Sequence, residues 1–321
     1  MLRSVIISLS KAEWARRMFM RWKFAHHIAT RFVAGETREE ALRTVRELNQ
    51  KGINASLDHL GENTATPAEA AAATDELLEI LREIDASGVR SNVSLKLSQI
   101  GLLLSDDICR ENLCRILSAA RDTGNFVRID MEDAAVTTRT LDTLRWVRDQ
   151  GFDNVGIVIQ AYLYRSENDV RALLDQNFRI RLCKGAYREP AEVAFPAKKD
   201  TDSNYDRLAA MLLSHMQSAG HAYHASADGR FPPIAALATH DLRRIQFAQA
   251  LSQRLGLTQD AVEYQMLHGI RRDLQHQLAA AGYPVRVYVP YGTHWYPYLM
   301  RRLAERPANI WFVLSNLIKD R

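Results

Sequence analysis

Residues 155–183 read VGIVIQAYLYRSENDVRALLDQNFRIRLC, and this stretch decides the fold. A β-prone run, Val155 to Ile159, gives way to a polar turn, then to helical sequence from Ser166 to Asn177, then to a second β-prone run from Arg179 to Cys183. Two strands separated by a helix are parallel, because the crossover returns the chain to the edge from which it left.

The same unit repeats in both directions. Upstream, Ile53–Asp58 precedes a helix from Pro67 to Ile84, Val93–Leu97 precedes Asp106 to Gly124, and Phe126–Ile129 precedes Thr137 to Gly151. Downstream, Arg179–Cys183 leads to helical sequence from Tyr205 to Gln217, Ile234–Ala238 to Asp241–Gly256, Val262–Met266 to Ile270–Gly282, and Val285–Val289 to His294–Arg306. An extra helix comes first. Thr37 and Glu40 have capping-box spacing, Ala41, Leu42, Val45 and Leu48 share a face, and Gly52 stops the run. Eight strand–helix pairs predict an α/β fold, a (β/α)8 TIM-type barrel, with a doubly wound open sheet as the alternative. A dinucleotide fold lacks its fingerprint: no GxGxxG follows the first strand, and Gly61 in LGEN stands alone.

Composition is consistent with one large domain. The chain has 321 residues, 47% hydrophobic and 25% charged, which excludes disordered and fibrous classes. Cys109, Cys114 and Cys183 are odd in number and lack CxxC spacing, so they predict neither a disulfide framework nor a metal centre. A net charge of +4 is spread among interleaved acids and bases, which argues against nucleic acid as a partner. The amino-terminal segment is the exception. Between Leu2 and Phe32 the only acid is Glu13, while Arg16, Arg17, Arg21, Lys23 and Arg31 alternate with Trp14, Phe19, Trp22 and Phe24. Residues 1–36 are therefore set apart as a basic, aromatic helical segment and 37–321 as the barrel domain. The segment is too polar to span a bilayer; it fits a surface helix, a helix packed on the barrel, or an organellar transit segment.

Polar residues stand at the carboxyl end of nearly every predicted strand: Asp58, Lys96, Asp130 with Glu132, Gln160, Lys184, Thr239 with His240, Gln265 and Tyr288. In a barrel these ends converge on one mouth, where active sites are built. Any one of them could cap the next helix; so many in step point to a site. Lys96, within the apolar run VSLKL, needs an anion, and Asp130 in RIDM is the expected counter-charge. A lysine nucleophile is the rival reading. The last helix, YPYLMRRLAERP, puts Arg301 and Arg302 at i+3 and i+4 from Tyr298, an arrangement suited to holding a carboxylate, with Glu305 placed to orient Arg301.

The ordered stretches SLKLSQIG, RIDMED, VIQAYLYRS, RLCKGAYREP, ATHD, YQML, YVPYG and WYPYLMRRLAERP resemble the motifs of the flavin-dependent proline dehydrogenase family, in its monofunctional form, from about Phe32 to Asn309. The resemblance implies a distorted barrel with its eighth helix over the mouth, presenting Arg301 and Arg302 to the carboxylate of L-proline. Lys96, Tyr288 and Tyr298 would be further walls of the substrate pocket, with Asp130 and Arg181 as catalytic residues. FAD would lie over the strand ends against Met131, Gln160, Lys184, Gly185, Ala186, Thr239 and His240, with Tyr187 beside it. Proline would be oxidised by hydride transfer to FAD, giving Δ1-pyrroline-5-carboxylate, and a membrane quinone would reoxidise the flavin.

A separate pyrroline-5-carboxylate dehydrogenase would act downstream, since neither a second dehydrogenase domain nor a DNA-binding segment is expected here. The implied location is the cytoplasmic face of the inner membrane, peripherally associated, or alternatively the mitochondrial matrix side. Thr293, His294 and His268 depart from the family pattern and put loop closure in question, not the class. Another barrel enzyme, flavin-linked or lysine-centred, and a non-catalytic amino-acid or flavin sensor are the competing readings.

Overall fold

A computed structural model describes residues 30–61 and 64–305. Of the segment 1–36 expected to be helical, residues 1–29 lie outside the described residues, and residues 30–36 form turns and irregular chain, not helix. A first helix, α1 (Arg38–Asn49), leads into eight strands: β1 (Asn54–His59), β2 (Ser91–Lys96), β3 (Val127–Asp130), β4 (Val155–Gln160), β5 (Arg179–Cys183), β6 (Ala235–Ala238), β7 (Val262–Leu267) and β8 (Val285–Tyr291). Each is followed by a helix: α2 (Pro67–Ser87), α3 (Asp106–Asp122), α4 (Thr137–Asp149), α5 (Ser166–Leu174), α6 (Lys198–Ser218), α7 (Leu242–Arg254), α8 (Arg272–Ala280) and α9 (Trp295–Glu305). Every strand is parallel to its neighbours, and β8 pairs with β1 in register from Asn54↔Arg286 to His59↔Tyr291. That last pairing closes the barrel and removes the open-sheet alternative.

Local sequence explains most of the element ends. Thr37 and Glu40 form the expected capping box on α1, and the buried face is Ala41, Leu42, Val45 and Leu48. Thr66 caps α2, with Pro67 at its first turn, and Gly88 ends it in the left-handed region at φ 62°. Ser105 and Asp241 cap α3 and α7 in the same way. Two helices differ from the expected bounds. α6 begins at Lys198, seven residues before Tyr205, because its first turns are held by a Lys198–Asp202 ion pair at i,i+4, not by an apolar face. α8 begins at Arg272, since Arg271 sits at φ 51° and breaks the helical path from Ile270.

The apolar core is the sleeve between strands and helices. Leu77, Ile80, Leu81 and Ile84 of α2, for example, are shut from solvent against the strands. Each such side chain contributes about 1.5–3 kcal/mol. The barrel's bore is different: it holds Arg128, Arg286 and Glu263, all 1% exposed or less. Upstream of α1, Ala34 N–H donates to the Pro290 carbonyl (2.9 Å), and the Gly292 N–H to that of Gly35 (3.0 Å). At the other end of β8, Trp295 Nε1 donates to Glu36 (2.9 Å), anchoring the start of α9.

Candidate active site

Side chains alternate across a strand, so residues two apart share the bore. On β1, β2, β3, β7 and β8 the inward pairs are Ser56/Asp58, Ser94/Lys96, Arg128/Asp130, Glu263/Gln265 and Arg286/Tyr288. The outer member of each pair stands nearer the mouth. Four of the charges close on one another. Lys96 Nζ lies 3.3 and 3.4 Å from the Asp58 oxygens and 4.0 Å from Asp130 Oδ2. Arg181 donates through Nη1 to Asp130 Oδ1 (2.9 Å), and the Tyr288 hydroxyl donates to Asp130 Oδ2 (2.7 Å). The nearer counter-charge of Lys96 is therefore Asp58, not Asp130 as the sequence led us to expect, because both Asp130 oxygens already accept from Arg181 and Tyr288.

Arg181 is held on all sides. Its Nε donates to Gln265 Oε1 (2.5 Å), and its other nitrogens donate to Ser94 Oγ (3.1 Å) and Ser56 Oγ (3.2 Å). Gln265 is fixed in turn by donating through Nε2 to Glu263 Oε1 (2.5 Å), and Glu263 pairs with Arg286 at 2.9 and 3.0 Å. The Arg181 guanidinium also stacks 5.3 Å from the Tyr288 ring centroid. Burial, then the Asp130 and Asp58 carboxylates, hold the Tyr288 phenol far above its ordinary pKa, so it stays a hydrogen-bond donor.

Above this layer opens a cavity of about 660 Å³. Every residue given a catalytic, substrate or flavin role lines it: Lys96, Asp130, Met131, Gln160, Arg181, Lys184, Gly185, Ala186, Thr239, His240, Tyr288, Tyr298, Arg301 and Arg302, with Tyr187 as well; the strand-end Asp58 and Glu132 do not. α9 supplies one wall, and Arg302 lies over the Tyr298 ring at 5.2 Å, as their i,i+4 spacing predicts. The Glu305 side chain lies outside the described residues. Thr293 and His294 are exposed at the start of α9, away from the cavity lining; His268, after β7, is half-buried and also lies outside that lining.

Several lining groups have a visible second task. Gln160 donates to the Glu132 carbonyl (2.7 Å), while the Glu132 carboxylate turns aside to accept from Ser98 N–H (3.0 Å) and Oγ (2.5 Å), fixing the loop after β2. Thr239 Oγ1 accepts the Asp241 N–H (3.1 Å), and His240 Nε2 accepts that of Leu267 (3.0 Å). Lys184 is held between Asp202 (2.5 Å) and Asp241 (2.8 Å). Burial pulls the Asp241 carboxyl up, but Lys184, the Arg243 N–H and Arg244 together outweigh it and hold the group below its ordinary range. Gly185, at φ 115°, presses against Tyr162: a Cβ there would lie 2.3 Å from the ring. Only glycine fits both conditions.

The arrangement suits binding and orientation more than covalent attack. Lys96 faces two carboxylates that favour its ammonium form, which is not a nucleophile. Burial, then Asp130, pushes the Cys183 thiol up to about 12. What the cavity offers is a pair of guanidinium groups on one wall, aromatic rings beside them, and a fixed cation–anion layer beneath. Sequence reasoning placed Asp58 and Gln265 at strand ends without a role and missed Arg128, Glu263 and Arg286. The missed signal was the alternation itself, since each stands two residues before a strand-end polar group.

Comparison with known proteins identifies the family of the chain. Residues 41–314 match the family model described as proline dehydrogenase. The chain is 41% identical over 297 residues to the proline dehydrogenase of Deinococcus radiodurans, covering 91% of each. It is 42% identical over 291 residues to proline dehydrogenase 1 of Bacillus subtilis strain 168, again covering 91% of each. Among solved structures, proline utilization A from Bdellovibrio bacteriovorus, inactivated by N-propargylglycine, superposes with a TM-score of 0.79 at 26% identity. That match covers 88% of this chain and 33% of the other, so the present chain corresponds to about a third of that protein.

Proposed function

This chain belongs to the proline dehydrogenase family, and from that premise we propose that it oxidises L-proline to Δ1-pyrroline-5-carboxylate with FAD as the hydride acceptor and a membrane quinone as the final oxidant. The observation that carries the reading is that Arg301 and Arg302 line the same cavity as Lys96, Asp130 and Arg181.

The lining fits a flavin nucleotide in kind. Met131, Val158, Ala238 and Leu267 provide apolar surface for a flat ring, Gln160 and Thr239 provide polar atoms for its edges, and Lys184, Lys198 and Arg271 provide cations for a diphosphate. When bound, FAD supplies the two-electron acceptor that no side chain can provide. The protein's own part is positioning. Arg301 and Arg302 take the proline carboxylate in a planar, permanently charged clamp, while Tyr288 and Tyr298 confine the ring. In the reaction proline loses a hydride from C5 and a proton from nitrogen, so the amine has to be bound in its neutral form. Arg181, immobilised by Asp130, Gln265, Ser56 and Ser94, offers a fixed positive charge at the strand ends where negative charge gathers as electrons arrive.

Electron delivery to a quinone requires contact with a bilayer, which fits peripheral association at the cytoplasmic face. No described helix is long and apolar enough to cross a membrane. The deciding experiment is an anaerobic absorbance spectrum of the purified protein before and after L-proline. Flavin bands that bleach with L-proline but not with D-proline or glutamate are the expected result. A protein that binds no flavin, or whose flavin L-proline leaves oxidised, would overturn the proposal.

A further inference from the structure

At the opposite end of the barrel from the mouth, the connections entering β6 and β7 bring together His221, His224 and Asp260, whose ligating atoms all lie within 4.8 Å of one another. Local geometry builds this cluster. His221–Tyr223 is a 3-10 turn with His224 at its end, and side chains at i and i+3 eclipse in such a turn. The two imidazoles accordingly stand 4.7 Å apart, centroid to centroid. Asp260 lies in the second 3-10 turn, Gln259–Ala261, and its Oδ2 is 3.2 Å from His224 Nδ1. Ligands about 2.05 Å from a tetrahedral metal are about 3.3 Å apart, so this pair already has the separation of two zinc ligands.

The backbone around the cluster is preorganised. Arg179, at the start of β5, donates to the carbonyls of Ala222 (2.6 Å), Tyr223 (3.3 Å), His224 (3.4 Å) and Pro232, clamping the turn that carries both histidines. Ala225 N–H donates to the Asp260 carbonyl (2.9 Å), tying the two connections together. Thr258 Oγ1 donates to Asp260 Oδ1 (2.5 Å), which orients the carboxylate and leaves Oδ2 toward His224. A donor outside the ligand set that fixes a ligand's orientation is a regular part of metal sites. His221 is exposed, and its side chain can swing the remaining distance.

We propose that His221, His224 and Asp260 form a binding site for a divalent transition cation of the zinc class, closed by water, that staples the α6–β6 and α7–β7 connections. Two imidazole nitrogens and one carboxylate oxygen suit zinc and exclude the oxygen-preferring cations magnesium and calcium. The site lies on the face that gives a barrel its stability and away from the mouth. Its occupancy therefore raises stability without changing proline turnover.

The test uses tag-free, flavin-loaded protein, treated with chelator and then dialysed against graded zinc chloride, with bound metal counted by mass spectrometry and unfolding followed by calorimetry. The expected result is one saturable zinc per chain, with a midpoint raised by about 4 °C at a hundredfold excess over Kd. His221→Gln should weaken binding by at least the 10- to 100-fold typical of losing even an outer-shell partner, while metal-free unfolding and proline turnover stay at wild-type values. Asp260→Asn should weaken it likewise. Absence of saturable binding to the wild type, or equal zinc affinity in His221→Gln, would overturn the site.

Discussion

Asp58 controls the charge balance beneath the cavity, and Asp58→Asn tests it. The substitution keeps the shape of a side chain that is 0% exposed and removes one of the two negative charges facing Lys96 and Arg181. Of the two carboxylates facing Lys96, the one that remains is Asp130 at 4.0 Å, whose oxygens are already engaged by Arg181 and Tyr288. Removing one partner of a buried pair costs about 3–5 kcal/mol. Proton release sets a ceiling on that cost. An ammonium with an ordinary pKa of about 10.4 can be neutralised near pH 7.5 for about 4 kcal/mol, at 1.36 kcal/mol per unit. The loss is therefore expected to be about 3–4 kcal/mol at that pH and to grow as the pH is lowered. Adding Lys96→Met removes the cation that Asp58 faced, so the double variant should be at least about 2 kcal/mol more stable than the single losses together predict. Urea midpoints of the wild type, both single variants and the double variant, at two pH values, measure this coupling. Losses that add to within about 0.5 kcal/mol at both pH values would refute the pairing.

Arg301→Met and Arg302→Met should each raise the KM for proline about 100-fold, the equivalent of losing about 2–3 kcal/mol of charged hydrogen bonding, while the flavin absorbance of the purified protein is retained. Unchanged steady-state kinetics in both variants would remove the clamp. Burial, reinforced by the neighbouring Arg272, holds His268 near pKa 4 against an ordinary value of 6.5. The unfolded chain thus takes up this proton first, and the contribution of neutral His268 is complete above pH 6.5, is lost as the pH falls toward 4, and is flat below. With some residual exposure the effect has a ceiling of about 3 kcal/mol. His268→Tyr should flatten that part of the curve of thermal midpoint against pH.

The strands were legible because a parallel barrel strand is a short β-prone run bounded by turns, and β5 falls on the predicted bounds, Arg179–Cys183. The start of α6 was not legible from apolar periodicity, since the buried positions before Tyr205 are the polar Thr201 and Asn204. The cavity-lining set could be read from strand ends and family-like motifs together. The pairing within it could not: proximity of Lys96 to Asp58 rather than Asp130 depends on which acid Arg181 claims, and Arg181 lies on a strand that is not adjacent to β2 or β3. His221, His224 and Asp260 belong to connections that strand-centred reading passes over, and their histidine spacing has meaning only in a 3-10 turn.

The charged bore also bears on how the chain reaches its final form. Arg286 of β8 neutralises Glu263 of β7 and, through Nη1, donates to the Ala55 carbonyl of β1 (2.6 Å), a contact between the last strand and the first. Arg181 likewise draws Ser56 of β1 and Ser94 of β2 to a strand from the middle of the chain. An oily bore would let a half-built barrel bury its strands in any order. Here a chain emerging from the ribosome without β8 has Glu263 facing inward with no Arg286 to meet it, and the first strand has β2 on one side but nothing on the other. Closure is therefore the step at which these ions become tolerable, which favours a single late, cooperative transition over a series of stable part-barrels.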